Sequence, residues 1–247
     1  MEQKGKVALI TGGGTGIGKA TSLMLAKLGI NVVINYSKSV KDAEATLEEV
    51  KKLGVKGMVY QADVSKDAEN RKMVQDVISE FGRIDILVNN AGTTDFVNLE
   101  DLEGLKDEYW DRAFDTNVKG LFTLSRACTA ELKRNKGCVI NVSSIAGITG
   151  RGSSIAYAAS KAAALSVTRS LAIVLAPEVR VNAVAPGIVL TRWVAGKEDH
   201  IEKLSGNTPL GRAAYPEDVA EVIVGLVKSD YVTGQTIVID GGVTLSR

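Results

Sequence analysis

Short runs of consecutive apolar residues, rich in Val and Ile, alternate with longer segments in which apolar positions recur every three or four residues. The runs predict strands at 7–11, 31–36, 57–61, 84–89, 138–143, 180–185 and 236–239. Most are apolar at successive positions rather than at alternate ones, as expected of strands covered on both faces. The segments between them read as covering helices; in 39–53, Glu and Lys fall on one side and Val, Leu and Ala on the other. Strand–helix alternation from end to end predicts an α/β fold: a doubly wound, seven-stranded parallel sheet with helices on both faces.

Two stretches break this rhythm. Residues 93–108 form a polar connector, and residues 190–212 carry three glycines and a proline between the sixth strand and the next helix. Long irregular segments in compact domains commonly act as lids or binding loops, and 190–212 is assigned as a substrate lid. One sheet absorbs all 247 residues, so a single domain is expected over 1–247.

Charge and cysteine content narrow the function class. Thirty Lys and Arg against 29 Asp and Glu provide no broad positive field, so nucleic acid and anionic membranes are unexpected partners. Cys128 and Cys138 match neither a disulfide framework nor a metal-ligand spacing and read as buried, reduced thiols. The apolar stretch 7–10 is too short for a signal-peptide core, and no other run suggests a membrane span; a soluble, cytoplasmic protein is expected. The single histidine, His200, has no ligand or triad pattern around it and reads as a surface residue of the lid.

The first strand runs into Thr11-Gly12-Gly13-Gly14-Thr15-Gly16-Ile17-Gly18, and a helix follows at once. Glycines allow a tight turn and close approach of a pyrophosphate, and the free N–H groups of the helix start offset its charge. Gly12, Gly16 and Gly18 are spaced G-x-x-x-G-x-G. Further landmarks follow in order: Asn89-Asn90-Ala91-Gly92, Asn117, Asn141-Val142-Ser143-Ser144, Tyr157-Ala158-Ala159-Ser160-Lys161, Pro186-Gly187 with Thr191, and Asp240-Gly241-Gly242. In this set and spacing the chain resembles the classical branch of the short-chain dehydrogenase/reductase family over essentially its whole length.

That resemblance implies a Rossmann fold and a set of dinucleotide contacts. Gly12, Thr15, Gly16, Ile17 and Gly18 would face the pyrophosphate, Asp63 and Val64 the adenine, and Asn90, Ala91 and Gly92 the adenosine ribose. Pro186, Gly187, Ile188 and Thr191 would hold the nicotinamide carboxamide region. From its position alone, Asp63 fits a turn or helix cap equally well. The second strand ends Tyr36-Ser37-Lys38, without the carboxylate that would repel a 2′-phosphate, so NADP(H) is favoured and NAD(H) is the alternative. Lys38 also fits a solvated surface lysine, and Thr15 stands where many NADP-using relatives carry a basic residue.

Tyr157 and Lys161 are four residues apart, so a helix presents both on one face. A tyrosine ordinarily titrates near ~10, and an adjacent ammonium lowers that value. By resemblance, Tyr157 exchanges a proton with a substrate oxygen, Ser144 holds that oxygen, Lys161 binds the nicotinamide ribose, and Asn117 supports a proton-feeding water. Each residue alone also fits a structural role: a chance Tyr-x-x-x-Lys pair, a turn-capping serine, an asparagine satisfying backbone groups. Leu190 and Trp193 are candidate pocket residues, with lid packing the other reading of Trp193, and Trp110 reads as core.

The function implied is interconversion of a carbonyl and a secondary alcohol by hydride transfer, foremost on a β-keto thioester as in the family's 3-oxoacyl-acyl-carrier-protein reductases. Sugar, polyol, steroid or alicyclic alcohol dehydrogenases are the alternative, and a catalytically silent dinucleotide sensor is the alternative of another class. A carrier protein calls for a basic patch at the pocket mouth, for which Arg126, Lys133, Arg134, Arg151 and Arg169 are candidates, each also fitting a solvated helix charge. Alanines at 158, 159 and 162–164 leave little bulk on one helix; the family's habit of pairing this helix between subunits implies a homotetramer, with a dimer as the alternative.

Overall fold

The computed structural model describes residues 3–192 and 208–245. Seven strands, β1 (Val7–Thr11), β2 (Asn31–Tyr36), β3 (Gly57–Gln61), β4 (Ile86–Asn89), β5 (Cys138–Val142), β6 (Arg180–Pro186) and β7 (Thr236–Ile239), form one parallel sheet in the order β3-β2-β1-β4-β5-β6-β7. β1 pairs with β2 through Val7 and Asn31 and with β4 through Ala8 and Ile86. The order reverses direction between β1 and β4, which opens a crevice above their C-terminal ends.

Alternate side chains of each strand feed two cores. Ala8, Ile10, Val32, Ile34 and Ile140 face α1 (Gly16–Lys27), α2 (Val40–Lys52) and α8 (Pro216–Lys228). Leu9, Val33, Leu87 and Val139 face α3 (Asp67–Phe81), α5 (Leu121–Arg134) and α7 (Ile155–Leu175). Two shorter helices complete the set among the described residues, α4 (Asp107–Phe114) and α6 (Ala146–Thr149). Both faces being covered explains the unbroken apolar strands.

Several element ends differ from expectation. β4 begins at Ile86 rather than 84, because Asp85 turns its carboxylate to Arg83 and to the N–H of Val7 (2.8 Å). β5 stops one residue early and β6 extends one further, to Pro186. Asn117 lies in a π-helical turn, Asp115–Gly120, inserted between α4 and α5. Gly120 there has no room for a side chain, since a Cβ would stand 2.8 Å from the Val64 carbonyl.

By length and composition the 21-residue α7, with mean hydropathy 1.3, could cross a bilayer, contrary to the expectation that no run suggests a span. It instead lies on the sheet as a core helix, with Leu165, Leu171 and Leu175 buried. Trp110, read as core, is only half-buried and packs beside Phe114 with ring centroids 6.0 Å apart. Cys128 and Cys138 are buried and unpaired; burial pushes the thiol of Cys138 up to about 11.

Candidate active site

A cleft of about 710 Å³ runs above the C-terminal ends of the strands. Its floor starts at the glycine turn. Gly12 (φ +60°) and Gly16 (φ +51°) adopt left-handed backbone, and a Cβ on Gly14 would stand 2.7 Å from the Cα of Ala43. The side chain of Asn90 holds the turn, donating to the carbonyls of Thr11 (2.9 Å) and Gly12 (3.2 Å), while Thr11 Oγ1 accepts from the N–H groups of Asn90 and Ala91. Thr15 precedes α1 without a capping bond from its side chain, and no acidic residue occupies the first turn, so the helix start is open to an anion.

Of the sequence-derived cofactor residues, all but Gly18 line this cleft. A Cβ on Gly18 would lie 2.2 Å from the Gly12 carbonyl oxygen, so this glycine allows α1 to seat on the turn rather than meeting a ligand itself. Asp63 lines the cleft and also makes a turn, its Oδ1 accepting from the N–H (3.0 Å) and hydroxyl (2.8 Å) of Ser65.

At the other end, β5 delivers Ser144 and the first turn of α7 delivers Tyr157. Ser154 caps α7, its Oγ accepting from the Tyr157 N–H at 3.2 Å. Tyr157 is hydrogen-bonded to the Ser144 side chain. One turn on, the buried Lys161 donates from Nζ to the Val142 carbonyl (2.9 Å) and sits 5.7 Å from the Tyr157 ring centroid. Gly147 of α6 permits this, because a Cβ there would be 2.6 Å from the Ala162 nitrogen.

Burial dominates the electrostatics. It lowers the Lys161 ammonium to about 8, and it raises the Tyr157 phenol above its ordinary value, offset in part by the bond to Ser144. The expected lowering of the phenol by a neighbouring ammonium is therefore absent in the protein alone. Lys161 has three donors and spends one on Val142, leaving capacity for a hydroxyl-bearing ligand in the cleft.

Asn117 lies beneath the cleft rather than in its lining. Its amide donates to the Thr93 carbonyl (3.0 Å) and Ser160 Oγ (2.9 Å), and its Oδ1 accepts from the Thr93 N–H (2.9 Å). It thereby ties the end of the Asn90–Gly92 segment to the helix that carries Tyr157. A second buried relay, Ser125–Asn89–Asn141–Thr168, crosses from α5 through β4 and β5 to α7. Asn89 and Asn141 belong to two of the sequence landmarks, but nothing in the sequence shows that they bond to each other.

The other sequence-derived candidates fare differently. Leu190 is exposed and outside the cleft lining; its N–H donates to Ala214. Trp193 and His200, with most of the assigned lid, lie outside the described residues. None of the five candidate basic-patch residues lines the cleft: Arg126 pairs with Asp67, and Arg134 with Glu131. Among the described residues the lining cations are Lys38, Lys161, Arg112 and Arg192. Arg112, held by Asp95, and Arg192 escaped sequence reasoning, because each becomes a wall residue only through the packing of distant segments.

The family model described as enoyl-(acyl carrier protein) reductase matches residues 12–244. The 3-oxoacyl-acyl-carrier-protein reductase FabG of Staphylococcus aureus is 40% identical over 242 residues, covering 96% of this chain and 97% of the relative. A solved short-chain type dehydrogenase/reductase from Mycobacterium marinum superposes with TM-score 0.91 at 34% identity, over 98% of this chain and 97% of the other. The chain belongs to the short-chain dehydrogenase/reductase family. A solved chain from Burkholderia xenovorans is similar to the same degree, with TM-score 0.92 and 36% identity over 98% of both chains.

As a short-chain dehydrogenase/reductase, the protein is an oxidoreductase that uses a nicotinamide dinucleotide and interconverts carbonyl and alcohol groups, in the manner of its ketoacyl reductase relatives. The glycine turn, the open start of α1 and the spare donors of Lys161 suit such a cofactor.

Proposed function

We propose that this chain reduces the β-keto group of an acyl thioester, borne by a carrier protein or a related pantetheine carrier, using NADPH. The observation that supports the direction is the Tyr157 phenol, held beside Ser144 in the cleft: it is protonated at neutral pH, burial moves it further from ionising, and reduction requires a proton donor at the carbonyl oxygen. The bound dinucleotide supplies the hydride. Tyr157 gives its proton to the substrate oxygen, Ser144 donates a hydrogen bond to the same oxygen, and Lys161 directs its free donors toward the nicotinamide ribose. Asn117 fixes Thr93 and Ser160 on either side of this group.

NADPH is favoured because the end of β2 presents Ser37 and Lys38 to the cleft and no acid. The matching family description names an enoyl reductase, and the 3-oxoacyl reductase from Staphylococcus aureus, 40% identical, favours the keto substrate over the enoyl one. Absorbance assays with NADPH and NADH test this against acetoacetyl and crotonyl thioesters, cyclic ketones, polyols and sugars. Turnover confined to polyols, sugars or the enoyl ester would overturn it; cofactor binding without turnover of any of them would support a sensor.

A cytoplasmic homotetramer, with a dimer as the alternative, completes the reading. Phe122 on α5, Ile173 and Val174 on α7 and Val238 on the edge strand β7 expose apolar surface that a second copy would cover. Light scattering that finds only a monomer at working concentration would remove the assembly.

A further inference from the structure

We propose that Arg192 is a specificity residue that reads the 2′-phosphate of the dinucleotide from the far side of the cleft; this rests on the NADPH reading above. Arg192 follows β6, yet its Nη1 donates to Ser39 Oγ (2.7 Å), 153 residues away, and approaches Asp42 Oδ2 (3.5 Å). Ser39 and Asp42 open α2, directly after β2. In the sheet, β1, β4 and β5 lie between β2 and β6, a span of roughly 19 Å at the usual strand spacing. The side chain therefore straps one wall of the cleft to the other, and both Arg192 and Ser39 line the cleft together with Ser37 and Lys38.

The other basic residue near this end is committed elsewhere. Lys19 of α1 pairs with Glu49 at 2.8 Å and does not line the cleft, and the glycine turn itself has Thr15 and no cation. Positive charge here comes from Lys38 and Arg192. A ribose 2′-phosphate carries close to two negative charges and three acceptor oxygens, which suit a guanidinium fork better than a single hydroxyl does. Ser39 makes no capping bond with its own helix, so its hydroxyl is an exchangeable partner for Arg192. Arg192 also offsets the nearby Asp42 carboxylate, 3.5 Å from its Nη1.

The competing ligand for Arg192 is the pyrophosphate, which NAD(H) and NADP(H) share, so the test separates the two. Calorimetric titration of the full chain and of Arg192→Gln uses four probes: NADPH, NADH, 2′,5′-ADP and 5′-ADP. The expected result is a loss of about tenfold or more for NADPH and 2′,5′-ADP, with NADH and 5′-ADP changing by less than about twofold. Arg192→Lys restores part of the loss. Equal weakening of all four probes assigns Arg192 to the pyrophosphate or to the shape of the cleft and overturns the proposal, as does no weakening. If the parent protein binds 2′,5′-ADP no better than 5′-ADP, the NADPH reading falls and this inference with it. If the parent prefers 2′,5′-ADP and the variant keeps that preference, only Arg192 is removed.

Discussion

Replacing Lys161 with Met should make the nucleotide-free protein more stable while abolishing its activity. The ammonium is buried, with one protein hydrogen bond to the Val142 carbonyl. Burial brings its value from 10.5 to about 8, which corresponds to roughly 3 kcal/mol of penalty for keeping the charged form folded. Methionine has similar length and no charge, so it removes that penalty and forfeits the bond to Val142, worth about 1–2 kcal/mol. The net gain at neutral pH is then about 1–2 kcal/mol, or roughly 2–8 °C in Tm for a chain of this size.

The pH dependence gives the sharper test. A folded-state value below the unfolded one means that the unfolded chain binds more protons between the two, so the parent gains stability as pH rises from about 8 to 10.5. Below about 8 both states are protonated and the full penalty remains. The variant lacks this group, so its advantage should be greatest at neutral pH and fall by roughly 3 kcal/mol across the alkaline interval, becoming a deficit at the top of it. Urea unfolding of both proteins, stripped of nucleotide, over this range measures the gap, and other titrating groups cancel between them. A variant less stable than the parent at neutral pH, or a gap that stays constant, would refute the claim that desolvation dominates at Lys161.

Three further outcomes bear on the cleft. Tyr157→Phe should reduce turnover by about a hundredfold to ten-thousandfold. Cofactor affinity should stay within about twofold, since the change removes only a hydroxyl; ordinary rates in steady-state assays would free Tyr157 from proton transfer. Reductive kcat/KM for the cofactor, which reports the cofactor-free enzyme, should stay level through neutral pH and decline only beyond about 8 as Lys161 loses its proton, with the oxidative rate rising toward alkaline pH; a decline already in the acidic range would contradict a phenol raised by burial. Gly18→Ala should weaken NADPH and NADH alike by displacing α1 from the turn, because its Cβ would overlap the Gly12 oxygen at 2.2 Å; unchanged binding of both in fluorescence titrations would show that the turn can yield.

The chain's alternation of apolar runs and amphipathic segments made the seven strands legible, because strands buried on both faces leave a signal that neighbours in space do not modify. The glycine turn and the Tyr157–Lys161 spacing were legible for the same local reason. Features set by segments distant in sequence were not. Nothing around Arg192 shows that its side chain reaches Ser39, and nothing around Asn117 shows that it bonds Thr93 and Ser160. The assumption that an ammonium must lower a nearby phenol failed because spacing along a helix sets proximity but not burial: Lys161 points its proton at Val142, and desolvation outweighs the rest.

That outcome clarifies how the fold serves the chemistry. A phenol that stays protonated and an amine that is close to losing its proton are both products of the same packing, the tight seat of α6 on α7 through Gly147 and of α7 on β5 through the bond from Ser143 Oγ to the Lys161 carbonyl (2.8 Å). Under the proposed function such packing would hold Tyr157 ready to donate to a carbonyl oxygen, and it leaves Lys161 with donors that a ligand in the cleft would engage. Cofactor binding and pKa are then one linked equilibrium: a ligand that accepts from Lys161 raises its value back toward 10.5, and with it the positive charge beside Tyr157 persists to higher pH. On that reading the electrostatic assistance that spacing alone suggested would belong to the complex, supplied by the same lysine whose burial weakens it in the free protein.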